Sequence, residues 1–386
     1  MTLPTSRRRV VLLGATGSIG SQACDVIARF PSRFELVGAV AGSDGAALAA
    51  IAARFGVART ALVHAEPGAA LPAGCAAGME AACEIAAMEA DVVCVAITGA
   101  AAIRPTLAAI DAGATIATAT KEVLVMAGEL VKARAATAGA RIVPIDSEHS
   151  ALWQCLRGED PASVSRLVLT ASGGPFLRRP LDTFASITPA EALAHPTWNM
   201  GPKVTIDSAT MMNKGLEVIE AHFLFDAPYA SIDVAIHPTS IVHSWVEFQD
   251  GAVVAQMGIP DMRVPIALAL ADGERLPGVG PHLDLRDVSP LEFLPVDGAR
   301  FPAVALARSA GERGGLAPCV FNAANEEAVT AFTAGQCRFD EIVPLVSEAL
   351  SAFHDHGASS LDAVLAADAW GREFVRTNTV GATVAR

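Results

Sequence analysis

Ten residues, Ser208-Ala-Thr-Met-Met-Asn-Lys-Gly-Leu-Glu217, bring an amide, an ammonium and a carboxylate together. Asn213 and Glu217 are four residues apart and Lys214 and Glu217 three apart, so a helix turns all three to one side. Gly215 weakens a helix interior by roughly 1 kcal/mol against Ala. Its presence predicts a close approach, read here as a ligand meeting the polar trio. A surface helix with an ordinary Lys–Glu pair fits the same residues. In Asp146-Ser147-Glu148-His149, Asp146 and Glu148 share a face if the chain is extended. With a third carboxylate they would form an all-oxygen site suited to Mg²⁺ or Mn²⁺. Ser172-Gly173-Gly174 offers the hydroxyl and amides of a phosphate cradle. Lys121, in Thr120-Lys121-Glu122, falls just past a predicted strand, where ligands of open parallel sheets bind. Solvated turns and a surface ion pair are the plainer readings of these clusters.

The elements that must position them follow in order. Strand Arg8–Leu13, the turn Gly14-Ala-Thr-Gly17-Ser-Ile-Gly20, helix Ser21–Phe30 and strand Phe34–Ala41 form a βαβ unit. Its glycines let backbone N–H groups meet a pyrophosphate at a helix N-terminus. The spacing is GxxGxxG rather than GxGxxG, so a structural glycine turn fits as well. After the second strand, Gly42-Ser43-Asp44 leaves the choice between NAD and NADP open. Further strands are predicted at Asp91–Ile97, Thr115–Ala119, Arg141–Ile145 and Arg166–Thr170, with a helix over Ala102–Ala112. The irregular stretch around 172–204 reads as a lid. Within it, Thr188, Pro189 and Glu191 signal a capped short helix, and His195 and Trp198 would meet a ligand. Val204–Ile206, Val234–Ile236, Ile241–Phe248 and Ala252–Met257 read as strands, the last two joined at Asp250-Gly251. The remainder predicts helices Val304–Ala310, Ala323–Ala334, Asp340–Phe353 and Leu361–Thr377, with Asp340, Asn322 and Asn325 as caps and no chemistry. The expected fold is α/β: a Rossmann-like dinucleotide-binding domain (1–146), an α+β catalytic and metal-binding domain (147–271), a linker (272–298) and a C-terminal helical domain (299–386).

Composition narrows the classes. With 52% hydrophobic and 18% charged residues among 386, the chain is built to fold, in two or three domains. A net charge of −13 argues against nucleic acid or an anionic membrane as partner. Arg7-Arg8-Arg9 precede only four apolar residues before Gly14, which reads as the lead-in to a strand rather than a signal peptide. Seven scattered cysteines without CxxC spacing point to reduced thiols and a cytoplasmic protein.

The motifs Gly14–Gly20, Asp146–His149, Ser172-Gly-Gly-Pro-Phe176, His195-Pro-Thr-Trp-Asn-Met-Gly201, Asp207–Glu217, Ile236–His243 and Asn322-Ala-Ala-Asn325-Glu occur in this order. Together they resemble the 1-deoxy-D-xylulose 5-phosphate reductoisomerase family over essentially the whole chain. The resemblance implies a homodimer that uses NADPH and Mg²⁺ or Mn²⁺, with Co²⁺ as a further candidate, on a small phosphorylated sugar. It implies Asp146, Glu148 and Glu217 as metal ligands, and Lys121, Glu148 and Glu217 as catalytic residues. Ser147, Ser172, His195, Trp198, Ser208, Asn213 and Lys214 complete the implied substrate shell, beside Lys121, Glu148 and Glu217. Thr16, Gly17, Ser18, Ile19, Gly42, Ser43, Asp44, Thr120, Glu122 and Gly201 are the implied cofactor contacts. Trp198 and Met200 lie in what resembles the family's lid. The reaction implied is skeletal rearrangement of 1-deoxy-D-xylulose 5-phosphate, by a retro-aldol/aldol or a ketol route, then reduction by hydride to 2-C-methyl-D-erythritol 4-phosphate. Two departures from the family pattern stand out: Ser43-Asp44 replaces a basic residue and Asn, and Thr120 replaces Asn. The first bears on the preference for NADPH over NADH.

Overall fold

Apolar runs too short for helices and closed by glycine turns fold as strands buried on both faces. A computed structural model describes residues 7–65, 71, 74–194, 200–288, 290–354 and 360–379. It divides into two units, and the chain passes between them more than once. One holds 1–123, 131–150 and 261–282; the other holds 124–130, 151–260 and 283–386.

In the first unit the strands are β1 (Arg8–Leu13), β2 (Phe34–Ala41), β3 (Arg59–Leu62), β4 (Cys75–Ala77), β5 (Val92–Val95), β6 (Thr115–Thr118) and β7 (Ile142–Pro144). They form one parallel sheet in the order β4-β3-β2-β1-β5-β6-β7. The order reverses between β1 and β5, the switch point where such sheets bind ligands beyond their carboxyl ends. Helices α1 (Ser18–Arg29), α2 (Gly45–Phe55), α3 (Gly78–Ala86) and α4 (Ile103–Asp111) connect the strands. Between β6 and β7 the chain runs through α5 (Glu122–Ala138), whose middle, 124–130, counts with the second unit. Gly14 makes the turn after β1: its φ is +88°, and a Cβ there would lie 2.3 Å from the Ala96 carbonyl oxygen.

Helix α6 (Ser147–Cys155) carries the chain into the second unit, built on strands β8 (Val164–Ala171), β9 (Ile232–Ile236), β10 (Val242–Phe248) and β11 (Val253–Met257). With β12 (Leu294–Pro295) they form a mixed sheet, β11-β10-β8-β9-β12, in which only β8 and β9 pair in parallel. The turn at Asp250-Gly251 joins β10 to β11 as predicted, with Gly251 at φ +88°. Helices α7 (Pro189–Ala192), α8 (Pro202–Thr210) and α9 (Met212–Phe225) lie between β8 and β9. Helix α10 (Arg263–Leu270) returns to the first unit. Helices α11 (Ala303–Arg313), α12 (Ala317–Thr333), α13 (Ile342–Ala352) and α14 (Leu361–Thr379) make up the helical C-terminal region.

Five local expectations are corrected. Val204–Ile206 is not a strand but lies inside α8. Pro202 starts that helix at its first position, and burial of Thr205 and Ile206 outweighs the strand preference of β-branched residues. Ser208–Glu217 is not one helix, because Met211 takes a left-handed conformation, φ +60°, and breaks it into α8 and α9. Asp146–Glu148 is not extended: the Asp146 carbonyl accepts from Ser150 N at 2.8 Å and α6 begins at once. Asn322 and Asn325 are not caps but fully buried residues inside α12. The predicted cap Asp340 sits within a short 3₁₀ turn at whose start Arg338 N donates to Glu341 Oε2 at 2.7 Å.

Candidate active site

In the first unit, the predicted site residues collect at the carboxyl ends of neighbouring strands β6 and β7. Lys121 stands where β6 gives way to α5, and Asp146 where β7 gives way to α6. The Lys121 Nζ lies 2.7 Å from Asp146 Oδ2, with side chains 9% and 18% exposed. The pair is part-buried, with Asp146 the more exposed of the two. His149, fully buried, holds Nδ1 4.0 Å from the same oxygen. Ser147 Oγ donates to Glu148 Oε2 at 2.5 Å. Helix α6 thereby presents a carboxylate and a hydroxyl in its first turn, where the helix dipole favours negative charge. Thr120, where the family pattern has Asn, turns inward: its Oγ1 donates to Ile97 O at 2.6 Å. Glu122 is buried beside it in sequence.

At the same sheet edge, Thr16, Gly17, Ser18 and Ile19 form the turn from β1 into α1. Gly17 is the N-cap, so no side chain occupies the first amides, and the first turn of α1 holds no acid. The exposed N–H groups there are free of a competing anion. After β2, Gly42 and Ser43 are exposed. Asp44 is the N-cap of α2, its Oδ1 accepting from Ala47 N at 2.9 Å.

The second unit supplies a different arrangement. Asn213 and Lys214, in the first turn of α9, both reach the carboxylate of Glu217, one on each oxygen. Lys214 is 3% and Glu217 1% exposed, so this charged cluster is sealed from solvent. That convergence matches the spacing argument. Gly215 does not: a Cβ there would meet Ala307 Cβ at 2.7 Å and Ala303 O at 3.1 Å, so the close approach is α11 and not a ligand. Ser172-Gly173-Gly174 docks against α8. Gly174, at φ +65°, would bring a Cβ within 2.6 Å of Ser208 O, and its N–H donates to Ser172 Oγ at 3.2 Å. The two predicted phosphate-type serines are therefore carried by packed segments. Thr188 and Glu191 close the predicted capping box on α7, with Arg179 Nη1 2.6 Å from Glu191 Oε1. Met200 and Gly201 lead directly into α8. His195 and Trp198 lie outside the described residues.

One part of this site is not in the sequence expectations. Asp207, fully buried beside Ser208, accepts from Asn325 Nδ2 at 2.9 Å and pairs with Lys203 Nζ at 2.9 Å. The available signal was two asparagines, three apart, on a helix whose remaining face is apolar.

Three family models match the chain: 1-deoxy-D-xylulose 5-phosphate reductoisomerase over residues 10–128, that enzyme's C-terminal domain over 142–225, and a DXP reductoisomerase C-terminal domain over 257–374. The 1-deoxy-D-xylulose 5-phosphate reductoisomerase of Leifsonia xyli subsp. xyli is 50% identical over 95% of this chain and 97% of its own. That of Thermomicrobium roseum is 49% identical over 96% and 97%. Among solved structures, the Zymomonas mobilis reductoisomerase in complex with NADPH superposes with a TM-score of 0.90 at 39% identity, covering 97% of this chain and 100% of that one. A DOX-P reductoisomerase in complex with NADPH, fosmidomycin and magnesium gives 0.90 at 38%, covering 98% and 100%.

Proposed function

The chain belongs to the 1-deoxy-D-xylulose 5-phosphate reductoisomerase family, and from that premise we infer how its residues divide the work. It is an NADPH- and divalent-metal-dependent enzyme that rearranges and reduces 1-deoxy-D-xylulose 5-phosphate to 2-C-methyl-D-erythritol 4-phosphate. The observation that carries this reading is the 50% identity along 95% of the chain.

Asp146, Glu148 and Glu217 are the metal ligands we propose. Hard oxygen donors of this kind suit Mg²⁺ or Mn²⁺. The fit is supported by Glu217, a carboxylate 1% exposed that is held in place by an amide and an ammonium. When bound, Mg²⁺ supplies Lewis acidity at the ketone and adjoining hydroxyl, and NADPH supplies the hydride. Lys121, poised on Asp146, orients the substrate's carbonyl end, and Ser147, on Glu148, offers a hydroxyl beside it. Ser172, Ser208, Asn213 and Lys214 hold the phosphate, and His195 and Trp198 belong to the same substrate shell. Glu122 and Gly201 complete the cofactor contacts.

For the cofactor, the α1 N-terminus with its exposed Thr16–Ile19 turn takes the pyrophosphate. The Asp44 carboxylate is engaged with Ala47 N at the start of α2, and the exposed Ser43 beside it is left to a 2′-phosphate. Among the described residues no helix is long and apolar enough to cross a membrane. We further propose a cytoplasmic homodimer. Burial pushes the thiols of Cys24 and Cys94 up to about 11 and about 12, as expected of cysteines kept reduced in a core. Val253 and Val254 on β11, the sheet's outer strand, are 59% and 41% exposed, a surface suited to a second copy. Sedimentation as a monomer at micromolar concentration would refute the dimer.

The direct test follows loss of reduced nicotinamide on purified protein with 1-deoxy-D-xylulose 5-phosphate and Mg²⁺, with NADPH and NADH side by side. NADPH oxidation that a chelator abolishes and fosmidomycin competes away is the expected result. No oxidation with either cofactor would overturn the assignment.

A further inference from the structure

Ser208 and the Asn213-Lys214 pair lie on different helices, α8 and α9, separated by the left-handed Met211. For these groups to serve one phosphate, the orientation of α8 has to be fixed by something besides chain continuity. The residue next to Ser208 is Asp207, which is 0% exposed. One of its oxygens accepts from Asn325 in the middle of α12 at 2.9 Å, and the other pairs with Lys203, one turn earlier in α8, also at 2.9 Å. A carboxylate must face the NH₂ side of an amide, so the chemistry of the pair settles the orientation of Asn325. Its own carbonyl oxygen is then buried without a hydrogen-bond partner among the described residues. That arrangement costs stability. An apolar residue at 325 would fill the helix's buried face but leave the Asp207 oxygen without its donor, so the amide answers to Asp207 and not to packing.

We infer that Asp207 and Asn325 are a positioning pair that holds α8, and with it Ser208 and the end of the 172–204 segment, for binding the substrate's phosphate. Asn325 fixes the carboxylate from a helix anchored in the core, and the carboxylate fixes Lys203 two residues after Gly201. Neither residue touches the reacting atoms. Their loss therefore weakens phosphate binding rather than chemistry. This inference rests on the phosphate assignment of Ser208 made above.

The test compares Asn325→Ala, Lys203→Met and Ser208→Ala. Lys203→Met keeps the part-buried stem and removes the ion pair while Asp207 keeps its Asn325 donor, and denaturant unfolding of both variants separates loss of stability from loss of positioning. Expected for both positioning variants is a rise in KM for 1-deoxy-D-xylulose 5-phosphate of roughly tenfold, the lower end for residues that orient a first layer of ligands. The Ki of fosmidomycin rises in parallel, while kcat and the KM for NADPH stay near the unaltered enzyme's. A general loosening of the fold would move kcat and both KM values together, and that outcome would overturn the inference. A raised KM in Ser208→Ala beside unaltered values in the other two would overturn it alone. An unchanged KM in Ser208→Ala would remove the phosphate assignment, and the inference with it.

Discussion

Two carboxylate clusters, one in each unit, are built on opposite plans. Asp146 sits at the rim of a parallel sheet, 18% exposed, with its partner Lys121 on the neighbouring strand end. Glu217 is 1% exposed inside a helix and is held by Asn213 and Lys214 from the preceding turn. At the rim, the sheet supplies position and the charges retain some water. In the buried cluster, the charges replace water for one another, so the cluster is part of the fold as well as of the site. Removing one group should separate these plans: a rim residue is felt mainly in turnover, a sealed one in turnover and stability.

Glu217→Gln against Asp146→Asn is the strongest test. Both variants should lose kcat/KM on the order of 10²–10³-fold, since each removes a charged group from the proposed metal set. Only Glu217→Gln should also lose substantial stability, about 3 kcal/mol, the low end for breaking a buried ion pair. Denaturant unfolding of the two proteins gives the comparison directly. Equal stability losses would erase the distinction, and full metal-dependent activity in either variant would remove that residue from the site.

Gly215→Ala tests the sealed cluster from its far side. The added methyl would stand 2.7 Å from Ala307 Cβ and 3.1 Å from the Ala303 carbonyl. Overpacking of this kind costs about 1–3 kcal/mol, offset in part by the roughly 1 kcal/mol gained in helix preference. A net loss of stability with reduced activity is expected, since the displaced helix carries Glu217. A protein that is more stable and fully active would show that α9 and α11 separate easily.

These cases also show what the sequence made legible. Five strands of the parallel sheet, β1, β2 and β5 to β7, were readable as short apolar runs ended by glycine or a polar turn, whereas the short β3 and β4 were not, and strand ends are where such sheets place ligands. Lys121 and Asp146 were found that way. The Asn213, Lys214 and Glu217 convergence was readable because it needs only one helical turn. The junction before it was not. Met211 gives no glycine signal for its left-handed turn, and Val204-Thr-Ile206 has strand-type residues in a helix that burial and Pro202 impose. Gly215 and Asn325 were misread for one reason: each answers to α11 or to Asp207, partners remote in sequence. Local pattern reports the need for a special residue but not what it meets.

Asp44→Ala is the rim's counterpart and a smaller effect. The cap on α2 is solvent-exposed, so its loss should cost about 1 kcal/mol, typical of an N-cap replaced by alanine. The preference for NADPH should be retained, because the carboxylate is engaged with the α2 backbone. A shift towards stronger NADPH preference, read from kcat/KM with the two cofactors, would mean that Asp44 does repel the 2′-phosphate despite its cap.

The smallest effect decides whether burial, rather than membership of one unit, sets the plan. Glu191 is in the same unit as Glu217 but exposed. The Thr188 backbone N–H, then the Arg179 guanidinium, hold its carboxyl down at about 2 against an ordinary 4.5. A lowered folded-state value means the stabilisation is complete above about pH 4.5 and is lost as the pH falls from there towards 2. Solvent screening keeps the effect local to the capping box. Amide exchange in α7 should therefore quicken across that window in the unaltered protein and lose its pH-dependent step in Glu191→Gln, with global unfolding unchanged between the two. If Glu191→Gln instead lowered global stability as Glu217→Gln is expected to, exposure would not be what distinguishes the clusters, and the whole second unit would depend on its charges.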